Sequence, residues 1–267
     1  MEKNVEKKLG EGIVAYFDVL GYQSFLENND IEVCREAIEE IFVKIPERVG
    51  TNFDYSLAPA DEVLQCIDKY FKSHPITTFI SDTIIFFFDF DLIEEDKIPI
   101  LLHQILYYLL FFVRISLEEG FPMRGYVDYG QFYYNNDGNK NIIAGKTIVN
   151  CYQGANNLNF SGLILSECMY KYYEEFKSNE VIKKIFDQKA IHKYLVDTKN
   201  GECSKYVGNF LFSDNNAMIE ADLVQYIFKN FHKHNKEINN EVMEKIKNTE
   251  KIMRHFIFNN NSFYGRS

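Results

Sequence analysis

The sequence predicts an α+β protein, and three observations carry that expectation. Runs rich in β-forming residues at 12–20, 75–88 and 122–134 each end at a turn signal. Stretches with apolar residues at helical spacing separate them, notably 31–45 and 99–116. Short polar breaks, Ser81-Asp82-Thr83 and Asn135-Asn136-Asp137-Gly138, fold the second and third runs back as hairpins, which favours antiparallel pairing. The order reads βαββαββα with additions.

Each element has its own reason. Gly12-Ile13-Val14-Ala15-Tyr16-Phe17-Asp18-Val19-Leu20-Gly21-Tyr22 is an apolar strand that delivers one carboxylate to its edge and then turns. Asn29-Asp30 caps a helix in which Ile31, Cys34, Ile38, Ile41, Phe42 and Ile45 recur at three and four residues, with Pro46 and Gly50 near its end. Residues 51–60 read as loop and 61–71 as a short helix or an insertion. Residues 75–88 read as a hairpin with Asp82 at its tip, or as one strand interrupted there. Pro99 opens a long, largely buried helix through Ser116. The strand at 122–134 returns over 141–144, and Gly145-Lys146-Thr147-Ile148-Val149 leads into a helix at 149–157. A short strand at 163–166, a helix at 167–177, strands and loops at 189–213 and two helices within 219–258, broken near 235–240, complete the chain. No repeat or linker demands a second core. Residues 1–165 read as the core, and 166–267 as strands and helices packed on it or across a dimer.

Composition narrows the functions. With 267 residues, 46% of them hydrophobic, the chain can bury one sizeable core. A formal net charge of -10 with no basic stripe argues against an open nucleic-acid surface. A small nucleotide differs, because divalent cations offset its charge and that of an acidic site. Five cysteines without CxxC spacing read as free thiols in a reducing compartment. The N-terminus is charged and no signal-peptide apolar core follows it. The most apolar stretch, 98–113, carries His103 and Gln104 and ends at Arg114, short of the roughly 20 apolar residues of a membrane span. The expectation is a cytoplasmic protein, with no membrane and no nucleic-acid partner.

Asp18 and Asp82 carry the chemistry. Both sit in apolar, β-rich context beside a turn. Two carboxylates at neighbouring strand tips repel unless protonated or bridged by cations. A pair of Mg²⁺ or Mn²⁺ ions, about 3.5–4 Å apart, resolves this in phosphoryl transfer. The bland alternative places both at solvated turns.

Four segments, in order, resemble class III nucleotide cyclases. Phe17-Asp18-Val19-Leu20-Gly21-Tyr22 is similar to that family's Phe-x-Asp-Ile-x-Gly-Phe signature, one position tighter before the Asp. Ile80-Ser81-Asp82-Thr83 resembles its Ile-Gly-Asp hairpin, with Ser81 for Gly. Residues 124–130 match the first and last residues of its Arg-x-Gly-Ile-x-x-Gly strand. Gly145-Lys146-Thr147-Ile148-Val149-Asn150-Cys151-Tyr152 resembles its Gly-Asp-x-Val-Asn-x-Ala segment. The resemblance covers residues 12–165. It implies a ferredoxin-like cyclase fold, a central and mostly antiparallel sheet flanked by helices, with C-terminal helical additions. It implies that Asp18, Asp82 and the Val19 carbonyl hold two Mn²⁺ or Mg²⁺ ions. Phe17, Val19, Leu20, Gly21 and Tyr22 would surround the triphosphate, Thr78 would stand at the base-reading position, and Lys146 would be a candidate cation. An NTP would be cyclised with release of pyrophosphate, in composite sites of a homodimer.

The departures are specific. Aligning on Gly145 puts Val149 at the family's ribose-orienting Asn and Gln153 at its transition-state Arg; aligning on Asn150 puts Gly154 at the Arg. Lys146 and Arg124 are the candidate replacements. Thr78 stands where purine enzymes have Lys. The branch most similar in this respect is the stand-alone pyrimidine cyclases of the bacterial Pycsar antiphage systems. That implies UTP or CTP as substrate and cyclic UMP or cyclic CMP as messenger to a separate effector. A catalytically inactive nucleotide-binding module and a different two-metal phosphotransferase are the alternatives.

Other polar residues read as structural. Tyr22, one of 18 tyrosines, reads as packing, and Asp128 as a strand-face or turn residue. His232 and His234, two apart, do not share a helix face. His74 precedes a proline near the second Asp. Phe86-Phe87-Phe88 reads as core and Glu94-Glu95-Asp96 as a solvated loop that starts the next helix.

Overall fold

A computed structural model describes residues 6–51, 65, 69–72, 75–91, 93–136, 141–187, 189–211 and 223–264. The first strand, β1 (Glu6–Val19), carries Ile13, Ala15, Phe17 and Val19 on one face and Val14, Tyr16 and Asp18 on the other, as strand alternation requires. It is followed by α1 (Tyr22–Glu27) and α2 (Ile31–Glu39); α2 continues through a π-helical stretch, Glu40–Lys44, into α3 (Ile45–Thr51). The hairpin reading of 75–88 holds: β2 (Ile76–Ile80) and β3 (Thr83–Asp89) pair antiparallel across Ser81-Asp82. The next helix, α4 (Ile98–Glu118), leads to β4 (Met123–Asn136), and β5 (Asn141–Ala144) pairs back onto it. The tip of that second hairpin and most of the 61–71 segment lie outside the described residues.

The strand order β2-β3-β1-β4, reached through a βαββαβ chain, is ferredoxin-like. The sheet does not stop there. After α5 (Lys146–Asn156), β6 (Gly162–Leu165) joins β4 in parallel. Beyond α6 (Glu167–Glu175) and α7 (Glu180–Asp187), β7 (Ile191–Thr198) and β8 (Gly201–Gly208) extend the same sheet through β8 against β6. The chain ends with α8 (Leu223–His232) and α9 (Asn240–Tyr264). The sequence reading omitted α7 and started α5 three residues late.

The larger core lies between the first face of the sheet and α4. Phe112 meets Phe17 and Phe86 edge-on, with ring centroids 5.0 Å apart in both cases. Each fully buried aromatic contributes about 1.5–3 kcal/mol. α4 corrects one expectation: the 95–118 segment is long and apolar enough to cross a membrane by length and composition. It is a core helix by its packing, with 78% of its most apolar window buried. On the second face a smaller cluster forms where Cys151 and Ala155 of α5 cover Val14, Tyr16, Ile85, Phe87, Phe132 and Tyr134. Cys34, Cys151, Cys168 and Cys203 are unpaired; Cys66 lies outside the described residues.

Candidate active site

The second face carries the polar residues. Strand pairing sets Asp18 directly between Thr83 of β3 and Arg124 of β4, all on this face. The Val19 N–H donates to the Asp82 carbonyl at 3.0 Å, which pins the β2–β3 turn against the end of β1. Two aspartates distant in sequence therefore meet. Asp18 is 7% exposed, and Arg124 donates to its Oδ2 from Nε at 2.9 Å and from Nη2. Burial pushes the Asp18 pKa above its usual 3.8, Arg124 pulls it back, and the neighbouring Asp82 charge pushes it up again. Both Arg124 bonds reach Oδ2, so Oδ1 has no donor among the described residues.

The turn has a strained start. Ser81 adopts a φ of 57°, in the left-handed region, at the position where the resembled hairpin has glycine. Behind Asp18, the Tyr16 hydroxyl lies 3.0 Å from Thr83 Oγ1 and its ring meets Tyr152 of α5 edge-on. After Asp18 the chain turns at once: Leu20 N–H donates to the Pro122 carbonyl at 2.8 Å, and Gly21, with φ 76°, redirects the backbone into α1.

The other sequence-derived residues are placed as follows. Phe17, expected beside the triphosphate, puts its side chain on the opposite face because it alternates with Asp18, and it is fully buried in the main core. Val19 and Leu20 are buried, so only their backbone borders the turn. Tyr22 packs on Phe25, with ring centroids 6.1 Å apart. Thr78 is 3% exposed, and its hydroxyl has no partner among the described residues. Lys146 is exposed and opens α5 beside Gln131, where Thr147 Oγ1 donates to the Gln131 carbonyl at 3.0 Å. From Arg124 to Gln131 the strand advances by about 23 Å, at roughly 3.3 Å per residue. Lys146 therefore stands far from Asp18 in its own chain.

A second polar cluster lies along that distance. Asp128 is buried and fully engaged: Ser166 Oγ donates at 2.5 Å, Asn150 Nδ2 at 3.0 Å and the Tyr129 N–H at 3.0 Å. These residues border a cleft of 1360 Å³ that follows α5 and includes Lys146, Tyr152, Gln153 and Lys199. Asp18 and Asp82 do not line it. Gly154, at the position of the resembled Arg in one register, lies against the Tyr126 ring; a Cβ there would come within 2.4 Å of a ring atom. Tyr126 fills the space a larger side chain needs.

Sequence reasoning missed Lys199 and Lys245. Lys199 stands at the β7–β8 tip; burial lowers its pKa and the Arg124 and Lys245 charges lower it further, while Glu241 and Asp18 oppose them. Lys245 pairs with Glu241 at 2.6 Å. The Asn200-Gly201 pair was a hairpin signal that would have placed Lys199 at a tip. No sequence signal placed that tip near Arg124. Among the described residues, no group of three or more His, Cys, Asp or Glu gathers as a metal site. His232 and His234 bond to backbone carbonyls instead.

No family model matches the chain, and no curated protein matches it. Solved structures do. One is a bacterial light-regulated adenylyl cyclase, 12% identical with a TM-score of 0.48, the match covering 86% of this chain and 59% of that one. Another is the guanylyl cyclase domain of a rhodopsin fusion protein from the aquatic fungus Blastocladiella emersonii, described as a non-canonical dimer. It is 11% identical with a TM-score of 0.46, over 76% of this chain and 97% of that one. A third is the guanylate cyclase domain from Catenaria anguillulae in complex with GTP, 10% identical with a TM-score of 0.44, over 76% of this chain and 98% of that one.

Proposed function

We propose that the protein is a metal-dependent nucleotide cyclase acting as a homodimer. One observation carries the reading: Asp18 and Asp82 meet at the end of β1, where burial and mutual repulsion leave Asp18 short of compensation. Two adjacent carboxylates, with Asp18 Oδ1 free of donors among the described residues, suit Mg²⁺ or Mn²⁺, which take hard oxygen ligands and complete their shells with substrate phosphates. Asp18, Asp82 and the Val19 carbonyl would hold the ions. Bound there, they would neutralise the reacting phosphate and lower the pKa of an attacking hydroxyl.

The chain's own groups do the rest. Arg124 holds the Asp18 carboxyl in place and, with Lys199, supplies positive charge toward a triphosphate. The backbone of residues 19–22 borders the phosphates. The substrate 3′-hydroxyl gives up its proton to water and attacks the α-phosphate, the bond from the α-phosphorus to the bridging oxygen breaks, and pyrophosphate leaves. The end of the α5 cleft that holds Lys146 lies too far from Asp18 to complete the site within one chain. It suits a second copy, and the exposed Val149, Tyr152 and Ile142 beside it are apolar surface such a copy would cover. Lys146 would then face the partner's aspartates. UTP or CTP as substrate, and a messenger role in phage defence through a separate effector, rest on the resemblance and on Thr78 at the base position. Incubating the purified protein with each NTP and Mn²⁺ or Mg²⁺, then resolving the products, is the test. A cyclic pyrimidine nucleotide is expected; no cyclic product from any of the four overturns the reading.

A second reading has its own support. Asn150 is tied to Asp128, and Gly154 carries no side chain and is hemmed in by Tyr126, so neither residue replaces the resembled Asn and Arg. A binding module without turnover would retain nucleotide affinity and release no pyrophosphate.

A further inference from the structure

The segment following α8 is built around the turn that leaves β1. α4 ends in a Schellman arrangement, with Gly120 N–H donating to Leu117 O at 3.0 Å and Phe121 N–H to Ser116 O at 2.7 Å. The next three carbonyls are then taken by side chains from far along the sequence. Lys233 Nζ donates to Glu118 O, His234 Nε2 lies 2.8 Å from Glu119 O, and Lys236 Nζ donates to Gly120 O. Basic groups are favoured at this end of a helix. His234 also stacks on Phe121 at 4.4 Å, and Phe25 of α1 meets both rings edge-on.

The same segment grips α1 from outside. Asn29 Nδ2 donates to His234 O at 2.7 Å, Asn28 Nδ2 to Asn235 O at 3.1 Å, and the Glu237 N–H to Ser24 Oγ at 2.9 Å. His234 and Asn235 hold left-handed φ values of 62° and 56°, uncommon for residues with a Cβ and kept here by these contacts. Lys236 is 2% exposed, and its stem passes directly behind Gly21: a Cβ on Gly21 would lie 3.3 Å from Lys236 Cδ. Leu20, one residue earlier, is bonded to Pro122, two residues beyond the Gly120 carbonyl that Lys236 holds. The turn at 20–22 is thus set from both sides by one assembly.

We propose that residues 233–237 are a brace that fixes the turn between β1 and α1 for phosphate binding, with Lys236 as its positioning residue. The phosphate part of this rests on the cyclase reading above. The brace makes a segment with no nucleotide contact of its own a determinant of substrate affinity. Burial, and then the neighbouring Lys233 charge, lower the Lys236 pKa to about 7, so Lys236→Met removes a group about half ionised at neutral pH while keeping the apolar stem.

Hydrogen exchange and kinetics on Lys236→Met and Lys236→Arg test this. Lys236→Met should speed exchange of the amides at 19–24 by about tenfold while leaving those at 84–88 unchanged. It should raise the NTP KM by about tenfold with kcat altered less than about threefold, and Lys236→Arg should restore part of the loss. Unchanged exchange, or an equal change in both segments, overturns the brace. Selective loosening with an unchanged KM overturns its nucleotide role. If the wild type neither binds nor turns over any NTP, the cyclase reading has failed, and the exchange comparison still decides the brace.

Discussion

Two buried aspartates on one face of the sheet live under opposite conditions. Asp128 has three donors, from Ser166, Asn150 and Tyr129, so both its oxygens are engaged. Asp18 takes donors from one residue among those described, Arg124, both on Oδ2, and has the Asp82 carboxyl within hydrogen-bonding reach. A saturated carboxylate ties β4, α5 and the start of α6 together; an unsaturated one beside another acid leaves room for a cation. The difference separates a saturated acid from an unsaturated one without any reference to relatives.

The largest expected effects test this contrast directly. Asp18→Ala and Asp82→Ala should lower pyrophosphate release by about 10³-fold, as loss of metal-anchoring groups does; Asp82→Ala should preserve folding stability, whereas Asp18→Ala also strands the buried Arg124. Asp128→Ala should instead cost about 3 kcal/mol of stability, because Ser166 and Asn150 lose their buried acceptor. Turnover assays and urea denaturation on the same three variants decide it. An Asp128→Ala protein as stable as wild type but inactive would invert the assignment.

The Arg124–Asp18 pair comes next. Both side chains are about nine-tenths buried, so removing one partner strands the other charge. Arg124→Met should cost about 3 kcal/mol, and adding Asp18→Asn should recover much of it. A double-mutant cycle in denaturant reads the coupling; additive losses would mean that Arg124 serves packing alone.

Both aspartates were visible in the sequence because each ends an apolar β-run at a turn. The alternation of strands and helices was visible because two hairpin signals fall between helix-spaced stretches; the ferredoxin-like arrangement was implied by the resemblance. What stayed hidden depends on register. Arg124 stood out as the first residue of the resembled Arg-x-Gly strand and as a candidate replacement for the transition-state Arg; that it faces Asp18 follows from the β1–β4 pairing, which no local pattern states. Lys146 read as a phosphate cation because its segment resembles one, yet the run of β4 puts it at the other end of the face. Lys236 gave no signal, since its contacts at Gly21 and Gly120 join parts of the chain far apart in sequence.

A smaller effect follows from adding metal. Mn²⁺ at about a hundred times its dissociation constant should stabilise the wild type by about 2.7 kcal/mol and leave Asp18→Asn and Asp82→Asn unmoved. Thermal melts with and without chelator measure it, and equal shifts in all three proteins would place the ion elsewhere.

His192 extends the contrast to a site with no catalytic part. It too is buried with one unpartnered atom, Nε2, while His255 of α9 lies 3.2 Å from its Nδ1. Burial, and then the neighbouring His255, lower its pKa from 6.5 to about 4. The folded value lies below the unfolded one, so the stability it carries is full above pH 6.5 and lost as pH falls through about 4. His192→Leu should shift the acid-unfolding midpoint downward.

The smallest effect sharpens the turn that brings the aspartates together. Ser81 pays for a left-handed φ that costs a residue with a Cβ about 1–2 kcal/mol. Glycine removes that strain but loses about 0.5–1 kcal/mol in backbone entropy on folding. Ser81→Gly should therefore stabilise the protein by about 0.5 kcal/mol, the residue of two opposed terms. Turnover should be unchanged, because the Val19 N–H bond to the Asp82 carbonyl fixes the turn independently of the Ser81 side chain. A variant that gains stability and loses turnover would show that the strain at Ser81 itself sets the Asp82 carboxylate against Asp18.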